Sequence, residues 1–389
     1  MIELTPVLLL LAFGAVAVSA WLLGRRNARA RAVRLPRDYY VGLDHLINDR
    51  FDRATEVFAR MAERDGDAAE IQFALGSLFR RRGEVDRAIA IHTRLRGAGA
   101  RTLRDEAAYA LGLDYLSAGL MDRAERLFEE LAATGEYRAA ALDQLVRLYE
   151  QQGDWANALR VFHELEPSER EARRRVAAHY LCELAEHALL QGDPERAGNL
   201  VRQARAHEAR LPRAELLSAR IAEGAGDPAA ARALYLAALE DSPGLALEIV
   251  PRVLALDVNG GGAVLLDELA QRLASRGKMS ARQIAWLLVT AVPPEDSAAA
   301  ARLVDRLFGT DSGGEAQALG SVLCRIGDAG GRYHCGECGL ASVRWYWRCP
   351  KCREWDSLKP AVFKWAERAD VSNRADTRDS QMGAHGRTA

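Results

Sequence analysis

Residues 83–88 read Gly83-Glu-Val-Asp-Arg-Ala88, and the same pattern of a Gly or Asp followed five residues later by Ala recurs along the chain. The other occurrences are Asp49 to Ala54, Gly119 to Ala124, Gly153 to Ala158, Gly192 to Ala197 and Gly226 to Ala231. Successive alanines are spaced by 34, 36, 34, 39 and 34 residues. A fixed period of this length is typical of repeat proteins, in which each unit stacks on the next. The pattern therefore predicts an array of six units.

Small and large side chains are placed around this turn as a helix-turn-helix unit requires. Before the turn stand Gly42, Gly76, Gly112 and Val146, followed three residues later by His45, Phe79, Tyr115 and Tyr149. Four residues after the alanine come Phe58, Phe128, Phe162 and Tyr235. Small residues let two helices approach closely, and large ones fill the gap between neighbouring units. The pattern resembles the tetratricopeptide repeat (TPR), which implies an all-α fold class: a TPR-type helical solenoid of about six repeats over residues 38–244.

Beyond residue 245 the turn motif is lost while helical periodicity continues. Pro251, Gly260 to Gly262 and Pro293-Pro294 interrupt the apolar segments there. Residues 245–328 are therefore predicted to form divergent TPR-like helices that continue and cap the solenoid. The polar segment 367–389 is predicted to be a disordered tail.

Four of the six cysteines form two Cys-x-x-Cys knuckles separated by ten residues: Cys335, Cys338, Cys349 and Cys352. Four thiolates grouped in this way are typical of one tetrahedral metal ion, with no open position for substrate or water. Zinc is the expected ion and iron is the alternative, while His334 is a less favoured replacement ligand. Disulfides or a redox dithiol are also less favoured, because doubled knuckles in a reducing compartment indicate a metal first.

The sequence around the knuckles, C-x2-C-G-x9-C-P-x-C-x2-W, ends at Trp355. It resembles the rubredoxin-like zinc ribbons and the short zinc finger of the RadA-type DNA repair ATPases. A small rubredoxin-like metal-binding ribbon is therefore predicted over residues 329–366. At least two of Trp345, Trp347, Trp355 and Trp365 are expected in its core, because so small a module needs large apolar side chains beside its metal. We expect this ribbon to dock on the end of the solenoid.

The N-terminal residues 6–23 are uncharged and apolar. Eighteen residues make about 27 Å of helix, close to the thickness of the bilayer core, so residues 1–24 are predicted to be a transmembrane anchor. Arginines then follow at positions 25, 26, 29, 31, 34 and 37, before any acidic residue. The positive-inside rule places this basic juxtamembrane segment, residues 25–37, in the cytoplasm against anionic lipid, with the N-terminus outside. A cleaved signal peptide is the alternative, although its usual basic start is missing.

The sequence carries no common catalytic motif: Walker A, H-E-x-x-H, G-x-S-x-G and the Rossmann fingerprint are all missing. A non-enzymatic role is expected. The row His179, Glu183 and His187, with Cys182 beside it, could bring metal ligands to one side of a helix, but polar residues commonly line the inner groove of such an array. Cys182 and Cys324 are expected to pack as small apolar side chains. The net charge of −1 argues against a nucleic-acid partner.

The order of anchor, TPR-like array and rubredoxin-like ribbon resembles the lipopolysaccharide assembly protein B family of Gram-negative bacteria. The resemblance extends over the whole chain apart from the tail. It implies a single-pass protein of the bacterial inner membrane, with its bulk in the cytoplasm, that acts as an adaptor and regulates lipopolysaccharide biosynthesis. In this family the adaptor brings the committed-step lipid A deacetylase (LpxC) to the FtsH-type membrane protease. The implied metal ligands are Cys335, Cys338, Cys349 and Cys352.

The resemblance also implies partners among other inner-membrane lipopolysaccharide regulators or assembly proteins, with membrane lipid held by the N-terminal helix. Two other functions stay open from the residues alone. One is electron transfer through a rubredoxin-like iron site, and the other is nucleic-acid binding through the ribbon, whose basic residues are Arg344, Arg348, Lys351 and Arg353. Candidate partner-binding residues on the predicted inner face are Ser77, Arg80, Arg81, Arg147, Glu150 and Gln151. No oligomeric state follows from the sequence, and a dimer is compatible with it.

Overall fold

The computed structural model describes residues 36–64, 68–97, 101–133, 135–256, 262–277, 279–292 and 331–361. The predicted membrane anchor, most of the basic segment, Cys324, Trp365 and the predicted tail lie outside these residues. Within the described residues, no helix is both long and apolar enough to cross a membrane. The chain divides into two compact units, Met1–Gln152 and Gly153–Ala389.

The first unit is built from helices joined by short turns. Its described helices are α1 (Arg37–Ile47), α2 (Phe51–Arg64), α3 (Ala69–Arg81), α4 (Val85–Gly97), α5 (Arg101–Ser117), α6 (Met121–Ala133) and α7 (Arg138–Gln152). The buried residues of α2 recur with helical spacing at Ala54, Phe58 and Met61, so one apolar face of the helix packs into the core.

The recurring glycine ends the first helix of each pair. Gly83 has φ 78°, and the N–H of the next residue, Glu84, donates to the carbonyl of Phe79 at 2.8 Å. This hydrogen bond is the signature of a Schellman cap, which needs a left-handed residue that glycine adopts without strain. The same positive φ recurs at Gly119, Gly153, Gly192 and Gly226. In the first pair Asp49 takes this position with φ 55°. The predicted turn motif therefore corresponds to a helix terminator.

The predicted pairing of small and large side chains is present in the first unit. A Cβ atom added at Gly112 would lie 2.7 Å from the ring of Phe128, and one added at Gly42 would lie 2.6 Å from the ring of Phe58. At Gly76 the neighbour is His92, whose ring would lie 2.5 Å from an added Cβ. These distances are too short for a side chain, so glycine is required at these three helix crossings.

The second unit continues with helices and ends in a small sheet. Its described helices are α8 (Trp155–Glu164), α9 (Pro167–Leu190), α10 (Pro194–His207), α11 (Pro212–Gly224), α12 (Pro228–Asp241), a 3-10 turn (Pro243–Leu245), α13 (Ala246–Ala255), α14 (Gly262–Ser275) and α15 (Ala281–Ala291). Asp154, Asp193 and Asp227 each cap the following helix by accepting a hydrogen bond from a backbone N–H three residues later. The helices α13 to α15 lie within the predicted divergent segment 245–328, of which residues 293–328 lie outside the described residues.

The C-terminal ribbon is a three-stranded antiparallel sheet. Strand β1 (Tyr333–Cys335) lies between β2 (Ala341–Ser342) and β3 (Leu358–Pro360). His334 is paired with Ala341 on one side and with Lys359 on the other. The strands are short, so the ribbon relies on its cysteine cluster and on the helices it touches for stability.

Candidate functional site

The two cysteine knuckles have the same backbone geometry. Cys335 and Cys349 open them, and the residue that follows the second cysteine of each knuckle has a positive φ: 70° at Gly339 and 64° at Arg353. The N–H of Gly339 donates to the carbonyl of Cys335 at 3.1 Å, and the N–H of Arg353 donates to that of Cys349 at 2.8 Å. Both turns therefore point two side chains toward a common centre. A glycine suits the first turn, whereas a non-glycine residue such as Arg353 rarely adopts this conformation.

The four sulfur atoms are arranged for a tetrahedral metal ion. All four lie within 4.8 Å of one another. The Sγ atom of Cys335 lies 3.6 Å from that of Cys352, and the Sγ atom of Cys338 lies 3.7 Å from that of Cys349. Metal–sulfur bonds of ~2.3 Å in a regular tetrahedron place the sulfurs about 3.8 Å apart, so these two distances fit an ion such as zinc.

The electrostatics of the cluster favour a bound cation. Burial raises the pKa of the Cys335 thiol, but the Ser357 hydroxyl at 3.3 Å and the backbone N–H of Cys338 and Glu337 outweigh it, and the pKa is about 6. The N–H of Glu354 lowers the pKa of Cys352, but burial and the neighbouring sulfurs outweigh it and raise that pKa to about 12. Adjacent sulfurs cannot all lose their protons unless a positive charge lies between them.

The ribbon packs on helix α9 through an aromatic stack. The ring of Trp355 lies 4.7 Å from the ring of His179 with an interplanar angle of 15°, and Trp155 meets Trp355 edge to face at 5.8 Å. The carboxylate of Asp356 accepts hydrogen bonds from Nε2 of His179 at 2.9 Å and from Nε of Arg175 at 2.7 Å. Burial lowers the pKa of His179 although Asp356 opposes the shift. A neutral imidazole therefore donates to a carboxylate at this contact.

A buried arginine joins the ribbon to a second helix. Arg213 of α11 is 1% exposed, and its guanidinium lies 5.6 Å from the ring of Trp347. Its Nη2 atom lies 2.9 Å from Glu183 and 3.3 Å from Glu186. Two carboxylates balance the buried charge, because an unpaired guanidinium at this depth would be costly. Sequence reasoning missed Arg213, since nothing in the local pattern distinguishes it from the exposed arginines.

The ribbon also shares a hydrophobic core with the last described helices. Tyr333, Cys335, Cys349 and Leu358 are buried in one cluster with apolar residues of α12 to α15. The Tyr333 hydroxyl donates to the carboxylate of Glu248 on α13, and burial followed by this hydrogen bond raises the pKa of the phenol. The prediction that the ribbon docks on the end of the solenoid is therefore incomplete. The ribbon contacts these last described helices and also α9 and α11.

The polar row on α9 is not a metal site among the described residues. His179 contacts the ribbon, Glu183 pairs with Arg213, and His187 is exposed. The cysteine cluster is the one group of suitable ligands found in the described part of the chain. Cys182 is fully buried among apolar side chains, as predicted, and burial raises its pKa to about 12. Of the ribbon tryptophans, Trp345, Trp347 and Trp355 are each partly buried.

The candidate partner-binding residues have mixed surroundings. Arg80 is held by Asp114, whose Oδ1 lies 2.7 Å from its Nη1, and Oδ2 of Asp114 lies 2.5 Å from Nδ1 of the buried His92. Arg80 is therefore part of a link between two repeats. Arg147 forms an exposed ion pair with Asp143 at 3.0 Å. Ser77 is partly buried and Arg81 exposed, Glu150 is partly buried, and Gln151 is exposed.

Comparison with protein-family models matches both parts of the fold. A rubredoxin metal binding domain model matches residues 333–360. Tetratricopeptide repeat models match residues 42–100 and 182–246, and a further one matches residues 141–174. The chain is thus a mostly helical TPR solenoid with a C-terminal rubredoxin-like zinc ribbon, as the sequence motifs predict.

Similar proteins extend this match to more than nine-tenths of the chain. Lipopolysaccharide assembly protein B of Escherichia coli K12 is 29% identical over 381 residues, which cover 91% of this chain and 97% of that protein. The chain is similar to lipopolysaccharide assembly protein B. The protein of that name from Haemophilus influenzae Rd is 28% identical over 397 residues, covering 92% of this chain and 98% of its own length. The predicted resemblance to lipopolysaccharide assembly protein B is confirmed.

Solved structures of TPR proteins also align with the chain. The C-terminal part of a TPR repeat-containing protein from Cytophaga hutchinsonii aligns with a TM-score of 0.38 at 15% identity, covering 70% of this chain and 96% of that one.

Proposed function

We propose that this protein is an adaptor of the inner membrane that limits lipopolysaccharide synthesis. It binds its partners through the TPR groove and the metal ribbon, and it presents the committed-step lipid A deacetylase to an FtsH-type membrane protease, which degrades that enzyme. The observation that carries this proposal is the similarity to lipopolysaccharide assembly protein B, which spans the array and the ribbon together. Other inner-membrane lipopolysaccharide regulators or assembly proteins are further partners.

The character of the cysteine site supports binding as the activity. Four cysteines that surround one ion leave no open coordination position, so such a site has no room for a substrate. Each knuckle is also tied to the helices: Cys335 and Cys349 belong to the core cluster that includes residues of α12 to α15. In our proposal Cys335, Cys338, Cys349 and Cys352 hold a structural zinc ion. The ion stabilises the ribbon, and the ribbon shares a hydrophobic core with the helices of the second unit.

Membrane attachment through residues 6–23 belongs to the proposal. A membrane-bound adaptor meets a membrane-bound protease at a high effective concentration, so weak contacts suffice for delivery of the deacetylase. The arginines of residues 25–37 would hold the start of the array close to anionic lipid.

The proposed function is tested by the lifetime of the deacetylase. In the native host we would deplete this protein and follow epitope-tagged lipid A deacetylase after protein synthesis is stopped. The half-life should lengthen several-fold and return to its original value when the intact chain is expressed again. An unchanged half-life in the depleted cells would refute the adaptor role.

The metal is identified on the purified full-length protein. Elemental analysis should give one zinc per chain and a colourless sample. A red sample with one iron per chain and a reversible redox couple would instead support the electron-transfer function.

A further inference from the structure

A groove runs along the first helices of the first three helix pairs. One cavity of about 340 Å³ lies between α1, α3 and α5, with Tyr39, Phe73 and Leu103 in its wall. A second cavity of about 420 Å³ adjoins it on α1 and α3, and both are lined by Leu46, Ala74 and Ser77. Because they share these residues, the two cavities form one continuous surface, here called the N-terminal groove.

The first end of the N-terminal groove is negatively charged. Glu70 and Glu106 line the first cavity, and both are exposed. Neither has an ion-pair partner within the part of the chain that the structure describes. Burial, followed by the charges of Glu70 and Glu136, raises the pKa of Glu106. Like charges that raise a pKa indicate an excess of negative potential, which a cationic side chain would relieve.

The other end of the N-terminal groove is positively charged. Arg80 and Arg81 both line the second cavity. Arg80 is neutralised by Asp114, whereas Arg81 is exposed and contacts the ring of Phe51 at 5.6 Å, with no carboxylate partner in the described residues. Glu70 and Arg81 lie eleven residues apart on α3, so about 16 Å of helix separates the two charged ends.

The middle of the N-terminal groove is apolar and open. Leu46 and Ala74 line both cavities and so lie between the charged ends, and Ile47, which lines the second cavity beside them, is 81% exposed. An isoleucine so exposed next to other apolar side chains marks a surface that gains free energy when covered.

We propose that the N-terminal groove binds an extended polypeptide segment of a partner protein that carries two basic residues, a short apolar stretch and two acidic residues, in an order that matches its charged ends. The number of residues between the charged pairs follows from strand geometry. An extended chain advances ~3.3 Å per residue, so the two charged pairs must lie five residues apart to span about 16 Å. The basic pair meets Glu70 and Glu106, and the acidic pair meets Arg81. This inference rests on the proposed function, since it names the chemistry by which the adaptor recognises a client.

The test uses the full-length protein and a synthetic peptide. The probe is a fluorescein-labelled heptapeptide with two lysines, a Leu-Tyr-Leu centre and two glutamates, and its binding is followed by fluorescence anisotropy. Replacing Glu70 and Glu106 together by Gln should weaken binding roughly two- to tenfold, because each exposed ion pair contributes modestly. A second heptapeptide has glutamines in place of the lysines. The variant and the unmodified protein should bind this second peptide with equal affinity. The matched control is the double variant Glu56→Gln and Glu63→Gln on α2, which should leave binding unchanged.

Several results would overturn the inference. The charge match would be excluded if neither heptapeptide binds the protein. It would also be excluded if the Glu70→Gln, Glu106→Gln variant loses affinity for both peptides equally. Binding that appears only when Arg25, Arg26, Arg29 and Arg31 are replaced by Gln would identify the basic segment of this chain as the occupant. Binding that weakens as the protein forms dimers would identify a second copy. Because no deacetylase is present, failure here leaves the proposed function to its own test.

Discussion

Asp356→Asn should weaken the attachment of the ribbon to helix α9 while leaving the cysteine site intact. Asp356 has φ 54°, a left-handed conformation that Asn tolerates, so this substitution changes charge without adding backbone strain. The carboxylate accepts hydrogen bonds from Arg175 at 2.7 Å and from His179 at 2.9 Å. His179 is fully buried, and its Nδ1 atom has no hydrogen-bond partner among the residues that the structure describes. Asp356 is therefore the hydrogen-bond partner of a buried ring whose faces are otherwise in aromatic contact.

The size of the effect follows from these contacts. Hydrogen bonds to charged groups contribute about 1.5–3 kcal/mol each, whereas ion pairs with a half-exposed partner contribute less than about 1 kcal/mol. Arg175 is 46% exposed, so its share is discounted for solvent screening. An amide in place of the carboxylate keeps part of the bond to His179, which leaves a net loss of about 1–2 kcal/mol.

Urea unfolding of the full-length protein, followed by tryptophan fluorescence, measures this loss. The midpoint should fall while the slope stays unchanged, because the same surface is exposed on unfolding. The matched control is Asp241→Asn at an exposed position of the same unit, with an expected change of less than about 0.5 kcal/mol. In a double-mutant cycle with Arg175→Gln, the combined loss should be smaller than the sum of the two single losses. A loss below about 0.5 kcal/mol for Asp356→Asn, or strict additivity in the cycle, would refute this account of the docking.

Three further predictions concern the metal, the repeat packing and pH. Cys349→Ser should remove bound zinc and unfold the ribbon. Elemental analysis should then show less than one ion per chain, while far-UV circular dichroism still reports a helical protein. Full zinc content would contradict the four-cysteine site. Gly76→Ala should lower the free energy of unfolding by about 1–3 kcal/mol, because the new Cβ would lie 2.5 Å from His92, whereas Gly198→Ala, whose nearest neighbour lies at 3.7 Å, should not lower it. Because the pKa of His179 lies below its ordinary value, the unfolded chain binds a proton that the native chain does not. The free energy of unfolding contributed by the neutral His179 should therefore be fully present above about pH 6.5 and fall at lower pH by up to about 1.4 kcal/mol per pH unit. Urea titrations of the His179→Gln variant should show a smaller pH dependence.

The helical array could be predicted because its signals are local. The Schellman turn at Gly83 and the close approach at Gly112 each depend on residues within one repeat. A left-handed φ and a crossing without a Cβ atom are both demands that glycine meets, so the residue type itself reports the geometry. The cysteine cluster could be predicted for a similar reason, since two short turns with fixed spacing bring four sulfurs together.

The docking of the ribbon could not be predicted in this way. The sequence predicts His179 to be a groove residue or a metal ligand, and it gives Asp356 no distinguishing signal. They meet across 177 residues of sequence, and no periodic pattern connects them. Arg213 is even harder to predict, because its burial depends on contacts with Trp347 of the ribbon and with Glu183 and Glu186 of α9. An arginine is ordinarily exposed, and nothing adjacent to it in sequence marks the exception.

Local sequence thus specifies the repeats, their turns, the helix caps and the two knuckles, since hydrogen bonds and steric limits within about 35 residues are enough to select them. Long-range packing sets where the ribbon lies, which charges are buried with it, and how Glu70 and Arg81 come to face one groove from opposite ends. The physical reason is that burial and pairing are properties of neighbours in space. A chain can encode its helices one turn at a time, but the surface that binds a partner exists only once several helices are packed together.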